Sequence, residues 1–250
     1  MFNLTGRMAL VTGGSKGLGL AMARGLAEAG ADLAICSRNE TELTAARDAI
    51  AAATGRRVEA IVADMTRRAD VRRLADESAR RLGKIDILVN NAGTNVPQAI
   101  DAITDETWDM MLELNLTSVM ALTRALVPGM KERQWGRVIH ISSMMATISK
   151  EKRNTYSATK AALIGMTRAS ALELGPFNIT VNCLAPGPFL TDLPASLLSQ
   201  AERDEWSRVT ALGRWGDPRE LVGPLLLLAS DAGSYITGQS ILVDGGFTVR

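Results

Sequence analysis

The stretch Arg7-Met8-Ala9-Leu10-Val11-Thr12-Gly13-Gly14-Ser15-Lys16-Gly17-Leu18-Gly19 decides the fold. Its first half is a short apolar run of strand character. Its second half is a glycine-rich turn that opens onto apolar residues at Leu18, Met22 and Leu26, the spacing of one helix face. The glycines have a physical task here. They let the backbone turn tightly and come close to a pyrophosphate, whose charge is then met by the amides and dipole of the helix amino terminus. A glycine turn alone is a weak signal, since tight strand-to-helix packing needs glycine too. The flanking strand and helix supply the context that a phosphate site requires.

The same alternation repeats along the chain. Residues 7–12, 32–37, 58–63, 86–90, 137–142, 179–184 and 240–243 read as strands, most with apolar residues at both parities, as in strands buried on both faces of a parallel sheet. Helical periodicity fills 17–29, 40–53, 67–82, 104–131, 154–174 and 217–230. This pattern predicts a single α/β domain over residues 1–250, a doubly wound parallel sheet of about seven strands with helices on both faces. The least regular stretch, about 186–216, holds Pro186, Pro188 and Pro194 before a polar helical segment and is expected to form a long functional insertion over the sheet edge.

Composition narrows the function classes. The 250 residues carry 28 Lys+Arg against 27 Asp+Glu, a net charge of +1, so nothing draws the whole chain to nucleic acid or anionic lipid. The longest uninterrupted apolar run, 224–229, is far short of the roughly 20 residues that cross a bilayer, and no secretory leader is visible. Two cysteines, Cys36 and Cys183, cannot build a disulfide framework, and a reducing cytoplasm is the expected compartment.

Other motifs lie where the alternation puts strand carboxyl ends, the ligand-binding edge of open α/β sheets. Asp64 follows the third strand, and Asn90-Asn91-Ala92-Gly93 the fourth. The second strand ends in Ser37-Arg38-Asn39, with no carboxylate at the position that would bind a ribose 2′-hydroxyl. Arg38 there, with Lys16 in the glycine turn, suits a 2′-phosphate, which favours NADP(H) over NAD(H). Tyr156 and Lys160 stand four apart on one helix face, where an ammonium would lower the phenol's pKa and fit it for proton transfer to or from a substrate oxygen. Ser143, thirteen residues earlier at the end of the fifth strand, offers a hydroxyl to that oxygen. Asn115 sits inside the longest helical stretch, a poor place for Asn.

Together the spread Gly-x-x-x-Gly-x-Gly turn, Asn90–Gly93 tetrapeptide, Asn115, Ser143, Tyr156, Lys160, Pro186-Gly187 with Thr191, and the ending Ile241-Leu242-Val243-Asp244-Gly245-Gly246 resemble the short-chain dehydrogenase/reductase family over essentially the whole chain, notably its 3-oxoacyl-acyl-carrier-protein reductase and gluconate 5-dehydrogenase-like members. The resemblance implies a Rossmann-type fold, metal-free hydride transfer between NADP(H) and a carbonyl or secondary alcohol, and a homotetramer or at least a homodimer. It assigns Tyr156 as acid/base, Lys160 as its tuner, Ser143 as orienter and Asn115 to a kink and a proton relay. The family spacing selects Ser143 rather than Ser142. It implies cofactor contacts from Gly13, Ser15, Lys16, Gly17, Leu18, Gly19, Ser37, Arg38, Asp64, Met65, Asn91, Ala92, Gly93, Tyr156, Lys160, Pro186, Gly187 and Thr191.

Three features have plainer readings. His140, the sole histidine, has no partner at metal-ligand spacing and reads as structural. The two cysteines read as buried thiols. The basic run Arg67, Arg68, Arg72, Arg73, Arg80, Arg81 and Lys84 is interleaved with acids and reads as a solvated helix face, the alternative being a docking patch for an acidic carrier protein. The substrate-facing parts are expected at 94–98, at 144–153 with Met144, Met145, Ile148, Lys150, Lys152 and Arg153, and in a lid at about 187–208 with Phe189, Leu190 and Leu193. That mixture leaves a keto-sugar acid and a β-ketoacyl thioester both open as substrates. A chain that binds the cofactor as a regulator without turnover is the alternative of a different class.

Overall fold

The computed structural model describes residues 1–191 and 198–249. Seven parallel strands form one sheet in the order β3-β2-β1-β4-β5-β6-β7: β1 (Met8–Thr12), β2 (Asp32–Ser37), β3 (Val58–Val62), β4 (Ile87–Asn90), β5 (Gly136–Ile141), β6 (Ile179–Pro186) and β7 (Ser240–Val243). The chain moves outward from β1 to β3, then returns to the far side of β1 with β4. The topological switch therefore lies between β1 and β4, where such sheets bind ligands.

Burial on both strand parities follows from helices on both faces. Ala9 and Val11 pack with Met22 and Leu26 of α1 (Gly17–Glu28), Leu43 and Ile50 of α2 (Glu40–Thr54), and Leu225 and Leu228 of the last helix, all fully or nearly buried. Leu10 and Leu88 point the other way, into a cluster with Val71 and Leu74 of α3 (Arg68–Leu82), Leu122 and Leu126 of α5 (Ser118–Glu132), and Leu174 of α6 (Asn154–Leu174).

The helix expected over 104–131 is not uniform. It comprises α4 (Asp105–Leu112), a π-helical turn at Glu113–Thr117 and α5. Asp105–Glu132 is long and apolar enough by composition to cross a membrane, yet Met111, Val119, Leu122, Leu126 and Met130 are buried against the sheet and its neighbouring helices. The expected helix at 217–230 is a 3₁₀ turn, Pro218–Leu221, leading into α8 (Val222–Ala229).

The polar segment after β6 is α7 (Gln200–Val209), with a capping box from Ser199 to Glu202. The two ends of this insertion meet: Leu190 N donates to Gly216 O at 2.9 Å, and Gly216 N to Pro188 O at 2.9 Å. Trp206 of α7 stacks on Trp215 at 5.7 Å, which ties the helix to the chain that leaves the insertion. Leu193 and Pro194 lie outside the described residues.

At the switch point the Thr12 hydroxyl accepts from the backbone amides of both Asn91 and Ala92, at 2.9 Å each. Asn91 Nδ2 donates back to the carbonyls of Thr12 at 2.9 Å and Gly13 at 3.2 Å. Thr12→Val keeps the shape and removes the acceptor, leaving two amides without a partner. Each carries a desolvation cost of about 1–3 kcal/mol, so we expect a loss of about 2 kcal/mol or more in denaturant unfolding. An unchanged unfolding midpoint would show that these bonds do not hold the two strand ends together.

Candidate active site

A cavity of about 550 Å³ opens at the carboxyl ends of β1, β2, β4 and β5, running from Lys16 and Arg38 at one end to Ser143, Tyr156 and Lys160 at the other. Its floor is shaped by missing side chains. Gly13 and Gly17 have φ of +65° and +56°, the left-handed region that favours glycine. At Gly19 a Cβ would collide with the Gly13 carbonyl, so the first turn of α1 sits directly on the glycine turn. Lys16, at the amino cap of α1, is extended and gives the helix no side-chain cap. The first-turn amides thus remain available to an anion. At Gly187 a Cβ would lie 2.6 Å from Asp244 Cα, and Thr191 packs against Gly17, 3.6 Å from where its Cβ would stand. These cradles fit a dinucleotide pyrophosphate.

All the cofactor-contacting residues expected from the sequence, from Gly13 through Thr191, line this one cavity. Thr94, expected among the substrate-facing residues, lines it too, and sequence reasoning missed several others, among them Thr66, Leu114 and Glu42. Asp64 accepts from Thr66 N at 2.9 Å and Thr66 Oγ1 at 2.8 Å, so a local turn sets its orientation. Glu42 modifies the charge reading. The strand end itself carries no carboxylate, but Glu42 in the first turn of α2 lies 3.6 Å from Lys16 Nζ, placed there because Asn39 caps α2 through the Glu42 amide at 3.1 Å. Lys16 is thereby offset, and Arg38, which has no ion pair among the described residues, carries the cationic character of this end.

At the other end, four residues distant in sequence converge. Asn115 is fully buried in the π turn and pairs with the backbone of Thr94 in both directions: Oδ1 accepts from Thr94 N, and Nδ2 donates to Thr94 O, each at 2.9 Å. Nδ2 also lies 3.2 Å from Thr159 Oγ1. The extra residue of the π turn is what aims an interior Asn at the loop after β4. A Cβ on Gly93 would stand 3.1 Å from Asn115 Oδ1 and 3.5 Å from Lys160 Nζ, so the glycine makes room for both. Lys160 Nζ donates to Ile141 O at 2.8 Å and lies 5.6 Å from the Tyr156 ring centroid. Burial pulls Lys160 down from the ordinary lysine value to about 8.

The two serines are sorted by their bonds. Ser142 Oγ donates to Lys160 O at 2.9 Å and anchors the helix, whereas Ser143 caps a 3₁₀ turn through Met145 N at 3.1 Å and its hydroxyl acts on Tyr156, opposing the upward shift of the phenol. One expectation is corrected. The net shift of Tyr156 is upward rather than downward: burial raises its pKa and outweighs Ser143 and the charge of Arg153, so Tyr156 is a neutral phenol at neutral pH.

Other expected positions fall differently. Met144 and Met145 are buried and do not line the cavity, and Arg153, expected among the substrate-facing residues, is 6% exposed. Phe189 lines the cavity while Leu190 turns to solvent. His140 is fully buried, 3.1 Å from Asn90 through Nδ1, and burial with the nearby Lys160 charge pushes it down to about 3. Cys36 and Cys183 are buried free thiols, pushed up to about 12 and about 11 by desolvation. Four of the seven basic residues are paired, Arg73 with Asp70 and Glu77, Arg81 with Glu77 and Glu59, Arg68 with Glu113 and Lys84 with Asp86, while Arg67, Arg72 and Arg80 are exposed with no ion pair among the described residues.

Known proteins share this arrangement. A family model described as enoyl-(acyl carrier protein) reductase matches residues 13–248. Gluconate 5-dehydrogenase of Gluconobacter oxydans is 35% identical over 250 residues, covering 100% of this chain and 97% of its own. The 3-oxoacyl-acyl-carrier-protein reductase of Chlamydia trachomatis is 36% identical, covering 97% and 98%. The crystal structure of a gluconate 5-dehydrogenase from Burkholderia cenocepacia, in complex with NADP and tartrate, superposes with a TM-score of 0.94 at 37% identity, covering 100% of this chain and 98% of that one. Full-length similarity at this level, on a seven-stranded parallel sheet with the glycine turn at its switch point, makes the chain a member of the short-chain dehydrogenase/reductase family of oxidoreductases.

Proposed function

We propose that this chain interconverts a carbonyl and a secondary alcohol with NADP(H), and that Tyr156 is its acid/base. The observation that carries this reading is the convergence of Ser143, Tyr156, Lys160 and Asn115 at one end of a cavity whose other end is cut for a nucleotide. Bound NADPH would supply the hydride. As the substrate oxygen gains negative charge, the Ser143 and Tyr156 hydroxyls meet it as fixed donors. Tyr156, held as a neutral phenol by burial, gives up its proton, and the Lys160 ammonium stabilises the phenolate left behind. Lys160 spends one donor on Ile141 O and keeps the others for the Tyr156 and Asn115 side, the route by which the proton is replaced.

Arg38 supports NADP(H) over NAD(H), as does the NADP bound in the related gluconate 5-dehydrogenase. The 187–208 insertion, closed on itself at Gly216, acts as the substrate lid in this reading. Exposed Met120 on α5 and Leu172 on α6 support assembly into a homotetramer or at least a homodimer, and the free thiols support a reducing compartment such as the cytoplasm.

Three outcomes are expected. Tyr156→Phe loses about 10²–10⁴-fold in NADPH oxidation over a carbonyl panel, the span of a single acid/base contribution. Activity undiminished in that variant, or a wild type silent on every carbonyl, would leave a cofactor-binding regulator instead. Lys160 is a cation below about 8 and neutral above it. The rate of reduction is therefore expected to hold at neutral pH and fall as pH rises through about 8, and a profile flat to strongly alkaline pH would contradict the role given to Lys160. Arg38→Asp is expected to reverse the preference toward NAD(H) by at least about tenfold in kcat/KM, the worth of one or two charge-assisted hydrogen bonds. Equal wild-type efficiency with both cofactors would refute the assignment.

A further inference from the structure

Arg153 is the N-cap residue of α6, one helical turn before Tyr156, and it is 6% exposed. A guanidinium is always charged and carries five donors, and one buried this deeply normally has an acid or several carbonyls around it. Here its side chain has no hydrogen bond and no ion pair among the described residues, although its backbone carbonyl accepts from Ser157 N at 2.8 Å. The nearest acid that acts on it, Glu202 of α7, is engaged elsewhere. Its carboxylate accepts from Ser199 N at 2.8 Å and Ser199 Oγ at 2.9 Å, and Lys150 Nζ stands 3.9 Å away.

The neighbouring loop carries unpartnered groups of its own. Gln98 N donates to Lys152 O at 3.2 Å, which brings the loop after β4 against the residue preceding Arg153. In that loop Asn95 Oδ1 and Gln98 Oε1 are buried acceptors without a partner. Buried polar atoms are ordinarily satisfied. The two acceptors are closed off from solvent and are not offered to a ligand, whereas an unpartnered guanidinium one helical turn before Tyr156 is what a ligand bearing an anion would complete. The mutual effect of Arg153 and Tyr156 on each other's titration agrees with their proximity.

We propose that Arg153 binds the carboxylate of the substrate, so that the enzyme acts on a small keto or hydroxy acid rather than on an acyl thioester or a neutral carbonyl. This rests on the oxidoreductase reading above and names the substrate class for the same site. Lid helix α7 takes part by keeping Glu202 occupied with its own cap and with Lys150, which leaves the guanidinium free for the substrate.

The test compares substrate pairs that differ only in the anion: a keto-sugar acid and its methyl ester, both reduced with NADPH. The wild type is expected to favour the acid by at least about tenfold in kcat/KM, and Arg153→Met to lower that acid-to-ester ratio by about 30-fold, near the value of one charge-assisted hydrogen bond in a buried site. Arg153→Lys should retain part of the ratio, since it keeps the charge and loses the fork. A wild type that favours the ester or a β-ketoacyl thioester would overturn the substrate class. An unchanged ratio in the variants would overturn the assignment to Arg153. If no carbonyl is turned over, the oxidoreductase reading itself falls. Calorimetric titration of tartrate into the NADP⁺-loaded protein then decides the carboxylate site separately: binding by the wild type that Arg153→Met abolishes supports it, and binding absent from the wild type or unaffected by the substitution refutes it.

Discussion

Everything functional in this molecule depends on how closely the ends of β1 and β4 are drawn together at the switch point. The Thr12 hydroxyl accepts two amides from the β4 loop, and the Asn91 amide returns two bonds to the carbonyls of the glycine turn. Because Gly19 has no Cβ, α1 can start directly on the Gly13 carbonyl. Together these contacts fix the helix terminus, the glycine turn and the Asn91–Gly93 floor as one rigid cradle. The remaining site is hung from it: the loop after Gly93 meets Asn115, and Asn115 meets Thr159 on the helix that carries Tyr156 and Lys160.

Burial then sets the chemistry. Tyr156 and Lys160 both sit where charge is disfavoured, and each moves toward its neutral form, Tyr156 upward and Lys160 to about 8. The phenol is thereby kept as a donor at neutral pH, and the lysine titrates within reach of physiological pH. The same desolvation silences His140, Cys36 and Cys183, which are buried in the strands. One physical cause thus shifts both the pair at the cavity's edge and the thiols and imidazole in the strands.

The strands and most helices were legible in the sequence because two-face burial writes apolar residues at both parities and helical packing writes a 3.6-residue spacing. Boundaries moved by a residue or two. β6 runs on to Pro186, for example, because it still pairs with β7 there. The π turn at Glu113–Thr117 was not legible, since one extra residue in a helix leaves no compositional trace; the ill-placed Asn115 was its only sign. Glu42 and Arg153 were misjudged for a shared reason. Sequence shows a charge, but what faces it depends on contacts between separate elements: Asn39 turning α2 so that Glu42 reaches Lys16, and the charge of Glu202 on α7 acting on the buried Arg153. For the serine pair, the family spacing favours Ser143, and in the structure the Ser142 hydroxyl is engaged with the Lys160 carbonyl.

The central claim is direct hydride transfer to a carbonyl held between Ser143 and Tyr156. It is tested most directly by reducing the preferred carbonyl with NADPH deuterated at C4 of the nicotinamide, one face at a time, and weighing the alcohol by mass spectrometry. The account predicts one deuterium on the carbinol carbon from one face and none from the other. Alcohol free of label from both faces, or label scrambled with solvent, would contradict it.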